Sequence, residues 1–557
     1  MKVKSKKIAF FLLKKIFVLL LLIHSVLTAQ NTENQNKIVK KVLEQSYPAA
    51  VKLWGIDSLN LKQNSPQFSG VVVTKEGIIL TAAHAIHPGN FYRVHFPDGK
   101  TVKAKAMGRM GIKSMQGRPD IGMLKIIDPG AYPFAEMGWS DSMSTNNLCV
   151  SIAYPTTLNQ DIPTIRVGKI ATVLDPWGFM VSTCKMEPGD SGGPLFDNLG
   201  RVIAIHSRIA VDEDINYESP VNLFREYWEY LLQPVNYAEL PSDKLQFAPD
   251  TLNNKLIDND NLIVIPHNLA VKGIAEIVSK ADKTKVIAFG TLIKPENKTG
   301  KFTWIVTKNS LLTSAVLVKI DGKFHDTKIF ATSISNDLAL LKINKTNKEE
   351  ISKTKVVDSF ENPGTTLVSF LSDNKNELSS LGSRVFEFKT KPAKGYFGAG
   401  ANFIKGNITI TSLGPDSPAA KAGLKVQDQV KFINGIAVIK PEDYGRELMQ
   451  YVVGDTISIK GLRNGEEFDY TVVLGEFPLS DHPSNKFQGG RSERFDNFES
   501  VFAHDAKLQP YQCGGPVFKI DGTFMGINIA RFSRTCSLAI PAEVIFNFVE
   551  SSLNTEI

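Results

Sequence analysis

The chain reads as a mainly β, multidomain protein in which one domain occurs twice and the second copy is interrupted by an insert. Three observations predict this. Short Val/Ile-rich runs alternate with Gly, Asp and Asn turns, as where Gly70-Val71-Val72-Val73 is followed by Lys75-Glu76-Gly77, the pattern of strands joined by tight turns. Residues 501–518 align with 179–196 without a gap, pairing Lys507 with Lys185, Pro510 with Pro188 and Cys513 with Ser191. Self-similarity of that extent reports duplication. Finally, 71 positions separate Asp120 from Ser191, whereas 176 separate Asp337 from Cys513. The excess is about one small domain with its linkers. At 557 residues the chain is too long for a single core.

Residues 1–29 differ from all that follows. Lys2, Lys4, Lys6, Lys7, Lys14 and Lys15 precede the apolar run Ile16 to Ile23, and small or polar residues lead to Ala29. This is the layout of a secretory signal peptide, with an apolar run short for a membrane span. Cleavage after Ala29 is expected, with an uncleaved anchor as the alternative, and export would deliver the protein to the periplasm, the cell envelope or the medium. The leader holds six lysines and no acid of the formal net charge of +7, so the remainder is close to +1. Nothing in that balance calls for nucleic acid or an anionic membrane surface.

Cysteine use is sparse. Export would permit disulfides, and the even count allows Cys149 with Cys184 and Cys513 with Cys536. No CxxC or His/Cys cluster has metal-ligand spacing, so no metal is expected.

The chemistry concentrates in three motifs of the first copy. Thr81-Ala82-Ala83-His84 closes the apolar run Ile78-Ile79-Leu80, Asp120 heads Ile121-Gly122-Met123-Leu124-Lys125-Ile126, and Gly189-Asp190-Ser191-Gly192-Gly193-Pro194 forms a glycine-rich turn. A serine hydroxyl attacks poorly until an imidazole takes its proton, and a carboxylate must hold that imidazole in the right tautomer. The order therefore predicts Ser191 as nucleophile, His84 as general base and then acid, and Asp120 as orienter. The glycines let the amides of Gly189 and Ser191 face a developing oxyanion. Such an acyl-enzyme route needs only side chains and water, so no cofactor is expected.

At these residues the chain resembles the trypsin-fold serine proteases, and Asp120-Ile121-Gly122-Met123-Leu124-Lys125 is most similar to the HtrA/Deg branch. The resemblance implies two tandem trypsin-like double β-barrel domains, the first at 40–235 with its active site between barrels and a terminal helix near Val221 to Leu232. A linker is expected at 236–260, and the second copy at 261–389 and 479–557. That copy is expected to be inert, because Ser310 stands at the base position and Tyr511 replaces Gly189. Cys513 reads as a packed thiol or a partner of Cys536.

The insert, 390–478, resembles an HtrA-type PDZ domain through Ser417-Pro418-Ala419-Ala420-Lys421-Ala422-Gly423-Leu424, Ile433-Asn434-Gly435 and Arg463-Asn464-Gly465. PDZ domains take C-terminal peptides as an added strand. By match, Gly395, Tyr396, Phe397 and Gly398 would form the loop holding the terminal carboxylate.

In the trypsin family the residue six before the nucleophile often lies at the base of the S1 pocket, here Lys185. His206, on the strand Val202 to Ser207, is similar to a pocket histidine of glutamyl endopeptidases. Two cations at one pocket would favour an acidic P1 side chain, whereas the HtrA resemblance implies cleavage after small apolar residues.

The reading is an exported serine endopeptidase acting on unfolded or envelope proteins, with PDZ-assisted peptide binding. The alternative is an envelope chaperone or peptide-binding scaffold with residual or no proteolysis. A further alternative has the inert copy restraining the live one until the PDZ domain binds a peptide. The resemblance also implies a homo-oligomer, although no segment identifies its interface.

Overall fold

The computed structural model describes residues 35–111, 119–158, 160–259, 273–296, 302–312, 315–347, 349–353, 362–372, 375–389, 394–478 and 481–554. The expected signal peptide and the start of the second copy, 260–272, lie outside them.

The first copy is two barrels. Strands β1 (Ala50–Ile56), β2 (Gln63–Val72), β3 (Ile78–Thr81), β4 (Phe91–His95), β5 (Thr101–Met110) and β6 (Ile121–Ile126) run in the order β5-β4-β1-β2-β3-β6, and pairing of β5 with β6 closes the ring. β5 alternates buried and partly exposed residues along its length, as a strand with one face on a core must. The second ring uses β7 (Leu148–Ala153), β8 (Thr164–Thr172), β9 (Met180–Ser182), β10 (Pro194–Phe196), β11 (Val202–Ile209) and β12 (Asn216–Pro220), closed in the order β10-β11-β12-β9-β8-β7. The expected terminal helix is two short ones, Val221–Glu226 and Trp228–Leu231, broken at the fully buried Tyr227.

The second copy repeats this plan with small departures. In its first sheet the counterpart of β5 is split into Lys323–Asp326 and Lys328–Ser333, which lie at the two ends of the strand order and meet at Thr327. Its second sheet combines Thr366–Ser372, Lys375–Ser380 and Phe386–Phe388 with four strands from Phe498–His504 onward. A single bridge, Leu381 to His504, joins the two ends of the counterpart ring. Between these halves lies the sheet Ala399–Ile404, Asn407–Leu413, Gln429–Ile433, Thr456–Arg463 and Glu466–Val473. It has a core of its own, with Ile410, Val430, Ile433, Ile457 and Ile459 fully buried.

The segment 236–260 is not a free tether. Asn236–Tyr237 pairs with β5, and Asp250 receives both terminal nitrogens of Arg201 at 2.9 and 3.1 Å. A bidentate guanidinium–carboxylate contact fixes geometry strongly, and the run of Pro, Ser, Asp and Asn gave no hint of it. The PDZ helix Pro441–Leu448 meets the first barrel beyond β1, where Arg446 binds Asp57 at 3.2 Å.

All four cysteines are free and buried. The Cys149 and Cys184 sulfurs lie 3.8 Å apart without a bond. Neither disulfide that the sequence allowed is formed.

Candidate active site

The register of β3 on β6 pairs Thr81 with Gly122. The turn after β3 and the residue before β6 therefore sit at one end of the barrel, bringing His84 to Asp120. The His84 amide donates to Asp120 Oδ1 at 3.0 Å, and its Nδ1 meets Oδ2 at 2.7 Å. Asp120 is buried, and its Oδ2 also accepts the Ser207 hydroxyl at 2.7 Å. Burial alone would raise the Asp120 carboxyl, but the bonds from His84 and Ser207 hold it below its ordinary range. Burial likewise works against the imidazolium of His84, and the hydrogen bond and charge of Asp120 outweigh it, so His84 titrates above its ordinary value.

The nucleophile loop is built on Ser69, which is fully buried. Its amide donates to Ser191 O at 2.9 Å and its hydroxyl to Gly189 O at 2.8 Å. Gly189 and Gly192 have φ of +101° and +83°. A Cβ on Gly192 would fall 2.0 Å from Thr81 Oγ1 and 2.3 Å from Ser69 O, so only glycine fits there. With the loop so held, the amides of Gly189 and Ser191 donate to no protein acceptor among the described residues. Two free amides flanking a serine are what an oxyanion site requires.

His84 and Ser191 line one cleft of 640 Å³ between the barrels, together with Glu187, Ser207 and Arg208. The Ser191 hydroxyl makes no hydrogen bond to the His84 ring in this arrangement. Glu442 of the PDZ helix and His482 of the returning segment complete the rim. Neither they nor Ser207 were singled out from sequence. Ser207 carries a weak signal as the residue after His206, and the other two carry none.

The two cations expected at S1 make their contacts elsewhere. Lys185 lies outside the cleft lining, and its Nζ donates to Asp505 O, in the second copy, at 2.8 Å. His206 is fully buried, its Nε2 2.7 Å from Ser151 Oγ. Burial, with the nearby Arg166 charge, pushes it down to about 3, so it is neutral at physiological pH. Behind Ser191, the buried Asp190 carboxylate takes Arg166 Nη1 at 2.8 Å.

The second copy repeats these bonds with other chemistry. The Phe289 amide donates to Cys513 O at 3.0 Å as Ser69 does to Ser191 O, and Gly514 repeats the positive φ of Gly192. Lys308 Nζ lies 2.6 Å from Asp337 Oδ2, beside Ser310. Among the described residues no imidazole is bonded there. Burial, partly offset by the Lys308 charge, raises the Cys513 thiol, and Tyr511 projects to solvent where Gly189 turns.

In the insert, Tyr396 is tied to Gly475 by two backbone bonds and Phe397 is buried in the core. The amides of Phe397 and Gly398 donate to no protein acceptor among the described residues. The adjoining strand Ala399–Ile404 is an edge of its sheet. Tyr444, on the helix facing it, donates its hydroxyl to Ala399 O at 2.8 Å.

The described residues hold no group of three or more His, Cys, Asp or Glu placed to bind a metal. No described helix is long and apolar enough to cross a membrane.

Comparison with known proteins agrees with this architecture. Residues 68–205 match the trypsin-like peptidase domain family and residues 389–474 the PDZ domain family. A probable periplasmic serine endoprotease, DegP-like, of Bartonella henselae is 23% identical, over 67% of this chain and 68% of that protein. The equivalent protein of Halomonas elongata is 22% identical, over 73% of this chain and 79% of its own. The solved serine endoprotease of Yersinia pestis aligns with 79% of this chain and 98% of that one, at 15% identity and a TM-score of 0.30. With its paired barrels and its inserted PDZ domain, the chain is a trypsin-like serine protease similar to the DegP-like endoproteases of the HtrA type.

Proposed function

We propose that the chain is an exported endopeptidase that cleaves unfolded or envelope proteins through His84, Asp120 and Ser191. In this reading the Ser191 hydroxyl attacks the scissile carbonyl carbon and its proton passes to His84 Nε2. Collapse of the tetrahedral intermediate expels the amine, which carries that proton away, and water then hydrolyses the acyl ester by the same route. The amides of Gly189 and Ser191 stabilise the oxyanion. The hydroxyl must reach the ring for this to happen, a contact that substrate commonly tightens.

The observation that carries the proposal is the Asp120–His84 pair at 2.7 Å, opening on the same cleft as Ser191 and its unpartnered amide. The insert would bind peptide C-termini, with the Phe397 and Gly398 amides on the carboxylate and Ala399–Ile404 pairing the added strand. The leader-like segment and the periplasmic names of the relatives support export.

The test is digestion of unfolded casein by wild type and Ser191→Ala, with mapping of a fluorophosphonate adduct. The adduct is expected on Ser191, and equal digestion by both proteins would end the endopeptidase reading.

A further inference from the structure

Two loops adjoin the cleft on the Ser191 side: 185–191, which lines it from Met186 to Ser191, and 210–215, which follows the lining residue Ile209 and joins β11 to β12. The second copy grips both from behind. Lys185 Nζ donates to Asp505 O at 2.8 Å. Arg534 donates through Nη1 to Ala210 O and through Nη2 to Asp212 O, each at 2.8 Å. Arg531, fully buried, donates to Glu213 Oε2 at 2.6 Å. Arg166, which holds Asp190 beside the nucleophile, also reaches Thr535 Oγ1 at 3.4 Å.

We infer that the inert second copy is a brace for the live one, with Asp505, Arg531 and Arg534 acting as positioning residues for the reaction at Ser191. The inference rests on the reading of Ser191 as nucleophile.

Three arguments set its direction. The 210–215 loop has few bonds of its own: the Ala210 amide binds Ile215 O at 3.1 Å, the Ile215 amide binds Asp212 O at 3.2 Å and the Asp214 amide binds Asp212 Oδ1 at 3.0 Å. The Ala210 carbonyl takes its bond from the second copy, and the Asp212 carbonyl takes a second, shorter one from there. Next, none of Asp505, Arg531, Arg534 or Thr535 lines the cleft, so the grip neither fills the site nor covers Ser191. A restraint by occlusion would have to do one or the other. Finally, Arg531 and Glu213 are both buried, and a buried charge stripped of its partner is costly. The docked arrangement is therefore the one the loop is held to. A degenerate domain with its base replaced still needs its surface for this role, which gives a physical reason for its retained barrels. Gln488, on the segment returning from the PDZ insert, also donates its amide to Glu213 at 2.9 Å, so the insert is joined to the same loop.

The test uses the full chain with Lys185→Met, Lys185→Arg, Glu213→Gln and Ser191→Ala. Hydrolysis of a peptide substrate, the rate of fluorophosphonate labelling and the thermal melt are measured for each. Small displacements of a positioned group reduce turnover steeply. Lys185→Met and Glu213→Gln are expected to lower kcat and the labelling rate together by about ten-fold or more, with KM within about two-fold and the melt preserved. Lys185→Arg, which keeps a donor, is expected to retain most activity. Folded Lys185→Met and Glu213→Gln proteins that hydrolyse and label at wild-type rates would overturn the brace, and so would a rise in activity, which would mean restraint. Should Lys185→Met melt early, the milder Glu213→Gln decides alone. Ser191→Ala separates the two readings: if it remains active, the nucleophile assignment fails, whatever the other variants do.

Discussion

Ser310 donates its amide to Asp337 Oδ1 and its hydroxyl to Asp337 Oδ2, each at 2.8 Å, repeating the two bonds that His84 makes to Asp120. The second copy keeps the hydrogen-bond frame around His84 and carries a serine where the first has an imidazole. The Lys308 ammonium at 2.6 Å from Asp337 further occupies the carboxylate that would orient a base.

All hydrolysis should therefore come from the first copy. Ser191→Ala is expected to lower activity by roughly four to six orders of magnitude, with Cys513 untouched. Adding Ser310→His to that variant should restore nothing, because Lys308 still pairs with Asp337 and Tyr511 still stands where Gly189 turns. A casein assay on the single and double variants checks this, and recovered thiol-dependent cleavage would show the second site to be live.

Gly192 is expected to tolerate no side chain. Its φ of +83° is strained for other residues, by about 1–3 kcal/mol, and the added Cβ would overlap Thr81 Oγ1 and the Ser69 carbonyl. Gly192→Ala should lower the melting temperature and cost at least about ten-fold in kcat by shifting the Ser191 loop. Near-wild-type kinetics would mean that the loop adjusts freely. The matching change Gly514→Ala meets Phe289 O at 1.9 Å and should lower the melt as well.

Of the two P1 alternatives, the contacts of Lys185 and His206 favour the small apolar one. Lys185 is committed to Asp505 O and His206 is buried and neutral, so neither supplies a cation to an acidic P1 side chain. Peptides with P1-Glu are expected to be cleaved no faster than matched P1-Val peptides. A clear advantage for Glu, in kcat/KM, would show that another cation serves the pocket.

His84, Asp120 and Ser191 could be picked out from sequence because each sits near a strand end with its own local pattern, and because chain order carries information. The brace was not. Lys185 was located by its spacing from Ser191, but its partner Asp505 lies 320 positions away, and spacing says nothing about which way a side chain turns. Glu442 and His482 reach the cleft only through the packing of the insert and its return segment. The PDZ loop was found by match, whereas the Tyr444 hydroxyl on Ala399 O depends on a helix docking across a sheet edge. Contacts of this kind leave no periodicity to read.

The pH profile should report His84. A general base works only when neutral, and the Asp120 pair holds the His84 imidazolium to a pH above its ordinary 6.5. Activity is therefore expected to fall as pH drops through a midpoint higher than 6.5, and to be near its plateau well above it. Asp120→Asn removes the charge that raises His84 and favours the wrong tautomer, so kcat should drop by about 10⁴-fold. Any residual activity should have its acid limb moved to lower pH. Asp190 adds a second acid-side loss. Burial, partly offset by Arg166, raises its carboxyl to about 6, and protonation weakens the Arg166 pair behind the nucleophile. Ser207→Ala, which removes one bond from Asp120 Oδ2, should shift the midpoint less than Asp120→Asn does. The check is kcat/KM from pH 5 to 9 for the three proteins. A wild-type midpoint below 6.5, or an Asp120→Asn midpoint unchanged from it, would show that this pair does not set the working base.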